Sequence, residues 1–444
     1  VVNPLAGLAR LQLFNRISHS DRRSGTTTQQ HWTMSLNASY LRPLTLFLFV
    51  FAGYYKASDV FEPVPVDITL LFAVLTVLLC LWTVFKERRL PAGSVLMAGL
   101  FVVFLVGLRW PGAFADYPTQ KTLRLFSLTA LAVFASLVLI KTDREKLVFM
   151  VAVACLGTLM AAFALLDMAV YGVIYRASVW NVNPILVARA SGFAVVCFLI
   201  LYWYGRLSVW QVVIPIVIAL LGLVLSGSRG PLVAAIFTVC FVALAPKFGS
   251  TPGRRALWTL VVAGGGVAAC LTWLSDIGIS GGRRMVRFLT GEWGDSEATR
   301  LAVWKESVAA IADHPFGLGW GRFSETIQVF HGSETLVLYP HNILLEISVE
   351  AGWLGGIFFA CLVCWVLLSS YKRTSRRGGL SFCIVLAGLV YWLVCAFVSG
   401  DINDNRPFWT FLVLALSTVT SHRLGEHAAQ QRGLNRPDER SLQH

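Results

Sequence analysis

Apolar runs long enough to cross a bilayer recur along most of the chain, and nothing else in the sequence constrains the fold as strongly. A spanning helix needs about 20 predominantly apolar residues, and by that yardstick about twelve candidates emerge once shorter runs broken by Gly or Pro are admitted. Their cores are Pro43–Tyr55, Val66–Phe85, Pro91–Leu108, Leu125–Ile140, Leu147–Gly172, Pro184–Tyr204, Val212–Leu225, Pro231–Ala245, Leu257–Ser275, Trp353–Tyr371, Leu380–Val398 and Pro407–Thr420. With 56% hydrophobic and only 14% charged residues, a soluble globule of 444 residues is excluded. The expected fold is an all-α polytopic membrane protein without internal repeats.

A formal charge of +13 could indicate nucleic acid, but Lys and Arg sit in short clusters between apolar runs rather than along one face. That is a topology signal, and no nucleic-acid partner is expected. Basic residues beside spans stay preferentially in the cytoplasm. One alternating set of loops, with both termini, holds Arg42, Lys86, Arg88, Lys141, Arg144, Lys146, Arg254, Arg255, Lys372 and Arg373 among others. It carries about 23 of the 37 basic residues and is assigned to the cytoplasm. An even number of spans places both ends there.

The chain then divides into a polar tail at 1–40, spans one to nine over 41–275, a periplasmic loop at 276–340, a short or re-entrant helix with spans ten to twelve at 341–421, and a second tail at 422–444. Both tails have disordered composition. The first 33 residues lack the apolar core of a secretory signal, and Met34 is a candidate start. All nine cysteines fall within expected spans, so none is placed for a periplasmic disulfide. The CxxC spacing of Cys361 and Cys364 reads as core packing on one helix face rather than as a redox or metal motif.

Loops as long as Asp276–Tyr339 usually carry function. Arg283, Arg284 and Arg287 make its first part a basic interfacial stretch. A helix follows, capped by Asp295 or Ser296, with Leu301, Trp304, Val308 and Ile311 at helical spacing and Asp313-His314-Pro315 at its end. Gly317-Leu318-Gly319-Trp320-Gly321 then makes a tight turn, a weak phosphate-binding signal. Arg300 falls in the first turn of the helix, where the macrodipole opposes a cation by a few tenths to about 1 kcal/mol. Either an anion offsets this or Arg300 snorkels at the surface.

Four outward helices are expected to begin at prolines: Asn183-Pro184, Arg229-Gly230-Pro231, Tyr339-Pro340-His341-Asn342 and Asn405-Arg406-Pro407. Proline suits the first helical position, which leaves free backbone N–H groups there. Clustered, these termini with Arg229, Arg300, Arg176, Arg189 and Arg406 would bind a pyrophosphate; otherwise they are ordinary helix ends and headgroup arginines. Of the outward histidines His314, His331 and His341, the last is placed by Pro340 in the first turn of a helix over Asn342–Ala351. A helix terminus would keep it neutral and able to accept a proton, unless it only bonds a headgroup. Asn342, Glu346 and Glu350 share one face of that helix, as site residues or as partners for arginine.

At these residues the sequence resembles the O-antigen ligase and O-antigen polymerase superfamily of bacterial membrane glycosyltransferases, over most of the chain from Met34 on. Ser226-Gly227-Ser228-Arg229-Gly230 is similar to the family's arginine motif. Ala298-Thr299-Arg300 with Trp304, then His314-Pro315-Phe316-Gly317-Leu318-Gly319, resembles its periplasmic loop, and Arg176 to Asn183-Pro184 is similar more loosely. Pro340-His341-Asn342 with Leu345-Glu346 and Glu350-Ala351-Gly352 resembles the motif of its essential histidine.

The resemblance implies transfer of a glycan from undecaprenyl pyrophosphate to a lipid A-core sugar in lipopolysaccharide biosynthesis. Arg229 and Arg300 would hold the pyrophosphate while His341 takes the proton of the attacking hydroxyl, with inversion at the anomeric carbon. Arg176, Arg189, Asn183, Asn342, Glu346 and Arg406 would contact substrate. No cofactor and no metal are expected where arginines neutralise the leaving group, although Asp59, Glu62 and Asp67 keep a metal open. Three other readings remain: a polymerase with a growing glycan as acceptor, an oligosaccharyltransferase acting on protein hydroxyls, and a twelve-span lipid-glycan flippase or secondary transporter.

Overall fold

The computed structural model describes residues 38–58, 61–88, 94–109, 113, 116–171, 176–179, 182–244, 283–284, 286–287, 290–291, 294–331, 335–377 and 379–419. The expected span at Leu257–Ser275, most of both tails and the loop up to residue 282 lie outside the described residues. Within them the chain runs α1 (Ala38–Val50), α2 (Ile68–Glu87), α3 (Ser94–Val106), α4 (Tyr117–Leu139), α5 (Asp143–Tyr171), α6 (Pro184–Trp203), α7 (Val209–Leu225), α8 (Arg229–Leu244), α9 (Asp295–Asp313), α10 (Ile343–Glu350), α11 (Gly352–Arg377), α12 (Leu380–Val398) and α13 (Arg406–Val419). A two-residue ladder pairs Phe330 with Leu336 and His331 with Thr335.

Helices α2, α4, α5, α6, α11 and α12 are long and apolar enough to cross a membrane, and α1, α3, α7, α8 and α13 are shorter apolar helices. Six, not twelve, therefore meet the length of a full crossing among the described residues. The shorter ones need their flanking turns, tilt or local thinning to match the hydrocarbon thickness.

Burial orders the bundle. The most apolar windows of α6 and α12 are 83% and 78% buried against 33% in α2, so the first two form the centre and α2 turns outward. Between them Phe51, Phe149, Phe193, Tyr391, Trp392 and Phe411 interlock ring against ring. Helix α5 lies directly on α6 because Gly157 has no side chain; a Cβ there would overlap the Ala190 carbonyl oxygen. Without a hydrophobic drive between helices in lipid, such close approach is how they gain packing energy. Cys361 and Cys364, expected in the core, are instead exposed free thiols on the outer face of α11.

The alternating loops sort to two ends of the bundle. At one, Arg42 reaches Glu87 and Glu145 at 3.8 Å each, Lys141 pairs with Glu87, and an Arg373 guanidinium N–H donates to the Val419 carbonyl at 2.7 Å. At the other, α9, α10 and the turns before α4, α6, α8 and α13 converge. Replacing Gly157 by Ala should lower stability by about 1–3 kcal/mol through overpacking against backbone. Thermal unfolding in detergent, with Cys361→Ala as a lipid-facing control that moves little, measures it.

Candidate active site

Helix α9 presents the first half of the site. Its N-cap is Gly294, not Asp295 or Ser296, and the Glu297 carboxylate accepts the Gly294 N–H at 3.1 Å. Arg300 thus falls in the second turn, where the macrodipole has largely decayed. Glu297, one turn back on the same face, supplies negative charge and forms a 2.8 Å ion pair with Arg229. Arg300 also lies in the field of Arg229, Arg284 and Arg189, and burial together with these cations pulls its guanidinium below the usual range. The buried stripe of α9 is Val303, Ser307 and Ala310, while Leu301 and Val308 face outward. One narrow seam against α10 and the following loop explains this, with Phe323, Ile327 and Val349 on the far side.

Arg229 opens α8 from a turn that Arg176 holds in place. The Arg176 Nε–H donates to the Ser226 carbonyl at 2.7 Å and its Nη2 to Ser228 Oγ at 3.0 Å. Arg284 lies close enough for its charge to act on Arg176. Arg176, Arg284, Arg229 and Arg300 therefore form one cationic group with Glu297 among them.

His341 sits just outside α10 rather than in its first turn. Asn342 is the N-cap, its side-chain oxygen accepting the Leu344 and Leu345 N–H groups at 3.0 and 3.2 Å, and the helix begins at Ile343. His341 itself takes a left-handed conformation with φ 56°. The Tyr339 ring meets the imidazole edge-on at 4.5 Å between centroids, and Trp304 donates its indole N–H to the Pro340 carbonyl at 3.0 Å. Trp304 follows Arg300 by one turn of α9, so this bond ties the turn that carries His341 to the helix that carries Arg300. Of the four prolines only Pro184 holds the first helical position; α8 starts at Arg229, α10 at Ile343 and α13 at Arg406. A proline merely lacks an N–H, whereas the Asn342 side chain bonds two of them, and the capping residue sets the boundary.

The turn 399–405 forms the floor. Asp401 Oδ1 accepts the Asn403 and Asp404 N–H groups at 2.9 and 2.7 Å, and Asn405 Nδ2 donates to the Asp401 carbonyl at 2.8 Å. Asp404 keeps an exposed surface, although surrounding protein encloses much of its carboxyl. That enclosure and the neighbouring Asp401 push its carboxyl up to about 6, against the pull of Arg189 and Arg406. Arg406 opens α13 with its guanidinium over the Phe49 ring.

Several expected substrate contacts are structural instead. Arg189 is 1% exposed and gives its Nη2 hydrogens to the Cys395 and Ser399 carbonyls, closing the end of α12. Asn183 caps α6 through the Ile185 N–H at 2.9 Å, as Asn342 caps α10. Glu346 is fully buried, and its partner is a lysine, not an arginine. Lys121 Nζ lies 2.6 Å from Glu346 and 2.7 Å from Glu350, with all three side chains sealed from solvent. Burial pushes both carboxyls up, Glu346 to about 8, against the lowering by Lys121. The glycine turn is no phosphate cradle: the N–H groups of Leu318, Gly319 and Trp320 donate to the carbonyls of Val349, Glu350 and Gly107. Asp67 caps α2 and pairs with Lys56, while Asp59 lies outside the described residues. Among the described residues, no three His, Cys, Asp or Glu side chains group as metal ligands.

Lys121, Asp401 and Asp404 went unremarked in the sequence. The dense polar run Asp401–Arg406 between two apolar helices was the available signal for the acids. Lys121 carried none, because it precedes the apolar run that begins at Leu125.

The fold and site together define a polytopic α-helical membrane protein with a cluster of arginines around Glu297. Residues 214–360 match the O-antigen ligase family model, a stretch that contains Arg229, Arg300 and His341. A further match is the ComP-specific O-oligosaccharyltransferase of Acinetobacter baylyi, 26% identical over 95 residues that make up 20% of this chain and 17% of that protein. Both support placement in the O-antigen ligase superfamily.

A carboxyl whose pKa is raised by folding holds its proton more tightly when folded. Its contribution to stability is full below the ordinary value of 4.5 and is lost as pH rises through about 8. Thermal stability should therefore fall between about pH 5 and pH 9, and Glu346→Gln should flatten that slope in detergent melts.

Proposed function

We propose that this protein is a glycosyltransferase that joins a glycan carried on undecaprenyl pyrophosphate to a sugar hydroxyl of lipid A-core, at the periplasmic face of the bacterial inner membrane. The observation that carries the reading is the joining of Arg229, Glu297, Arg300, Trp304 and Pro340-His341 into one continuous wall. A pyrophosphate departs already ionised, so the reaction needs cations at the leaving group and a base at the acceptor, and no general acid.

In this reading Arg229 and Arg300, with Arg176 and Arg284 behind them, hold the pyrophosphate. The acceptor oxygen attacks the anomeric carbon and its proton passes to His341. The bond from that carbon to the pyrophosphate oxygen breaks, its electron pair leaves with the phosphate, and the configuration inverts. Asp401 and Asp404, whose field reaches Tyr339 beside the imidazole, favour the cation that forms. Four guanidinium groups neutralise the leaving group without a metal.

The similarity to an O-oligosaccharyltransferase supports a second reading, with a protein hydroxyl as acceptor. A growing lipid-linked glycan is the third acceptor of the same chemistry. Purified protein incubated with undecaprenyl-pyrophosphate glycan and, separately, lipid A-core, a Ser-bearing protein or donor alone distinguishes them by which product forms. With lipid A-core, transfer should persist in excess chelator. It should fall by about 10²–10⁴ in His341→Ala and about 10²–10³ in Arg229→Ala and Arg300→Ala. Full activity in His341→Ala would remove the assigned base.

A further inference from the structure

Lys121 touches no part of the pocket surface, yet it is tied to both of its walls. Its ammonium lies between Glu346 and Glu350 of α10, the helix that follows His341. Glu346 Oε1 also accepts the Ile402 N–H at 3.1 Å, and the Lys121 carbonyl accepts from Asn403 Nδ2 at 3.1 Å. Asn403 Oδ1 in turn accepts the Thr129 hydroxyl at 2.7 Å. Ile402 and Asn403 belong to the turn that carries Asp404 and leads into Arg406. Between Lys121 and Thr129, α4 contains a π-type turn at Leu125–Thr129, a local feature that re-aims side chains and breaks the regular register.

An ammonium sealed from water between two carboxyl groups is a poor stabilising device. Its desolvation consumes much of what the pairing returns, and apolar side chains of equal volume would serve the fold as well. What the arrangement does supply is a fixed geometry, because a compact cation with three donors is satisfied in one place only.

We propose that Lys121 is a positioning residue for glycosyl transfer: through Glu346, Glu350 and Asn403 it sets the distance between the histidine-bearing wall and the floor formed by turn 399–405. The proposal rests on the glycosyltransferase reading for its kinetic consequence, but not for its structural one. A misplacement of about 1 Å between reacting groups costs on the order of 100-fold in rate.

Two measurements on the full-length protein in nanodiscs test it, comparing wild type, Lys121→Met and the isosteric Glu346→Gln. Hydrogen exchange should accelerate in peptides covering 339–343 and 399–405 of the variants while α6 and α12 keep their protection. With polyprenyl-pyrophosphate glycan and lipid A-core, kcat should fall about 100-fold with the donor KM nearly unchanged. Unaltered exchange at 399–405, exchange that rises uniformly across the chain, or a raised KM with intact kcat would each overturn the proposal. If Lys121→Met does not fold, Glu346→Gln gives the same readouts with side-chain volume preserved. Absence of transfer in the wild type would count against the glycosyltransferase reading alone, since the exchange comparison still decides whether Lys121 fixes the two walls.

Discussion

Hydrocarbon offers no hydrogen bonds, so every polar group along this bundle has to find its partner inside the protein. That constraint decides where helices stop and which side chains are left for chemistry. The last carbonyls of α12 are closed by Arg189, the first N–H groups of α10 by Asn342, and those of α6 by Asn183. Arg109 does the same for the end of α3, donating to the Val106 and Leu108 carbonyls and, across to the glycine turn, to those of Phe316 and Gly317. Side chains occupied in this way cannot also bind a ligand. Arg229 pairs instead with Glu297, a carboxylate that α9 supplies.

That carboxylate, Glu297, explains how several guanidinium groups can stand together before a substrate arrives. Arg229 and Glu297 keep only 12% and 21% of their side-chain surface, so their pair is largely shielded from solvent. Arginine forks match phosphate oxygens in two parallel charge-assisted bonds, each roughly twice as strong as a neutral one. Glu297 also lies one turn before Arg300, where its negative charge limits repulsion within the group.

Much of this was legible in the sequence, and the failures share one cause. The apolar runs located the helices, and the loop between α8 and α10 was correctly read as helical and as ending at His314. Arg229 pairs with Glu297 one turn before Arg300, and Trp304 on the same helix bonds the Pro340 carbonyl beside His341. What local pattern could not supply was the partner of a polar side chain. Glu346 and Arg189 looked available because their partners, Lys121 and the end of α12, are distant in sequence. The helical spacing of Leu301 and Val308 is read from the sequence, whereas the side on which a neighbour lies is not, and both residues are exposed. His341 was placed inside α10 because Pro340 is a frequent helix starter, and the capping strength of Asn342 overrode it.

The shift of His341 by one position changes what the helix does for it. A left-handed backbone costs a non-glycine residue about 1–2 kcal/mol, and such a conformation persists only where its surroundings over-determine it. Here three anchors do so, each from a different segment: the Trp304 indole on the Pro340 carbonyl, the Tyr339 ring against the imidazole, and the two backbone bonds to Asn342. The Asn342 side chain occupies the Leu344 and Leu345 N–H groups, so two of the donors at the start of α10 are already bonded. The position of the histidine is thus a product of assembly: it is correct only when α9, α10 and the turn between them have all docked.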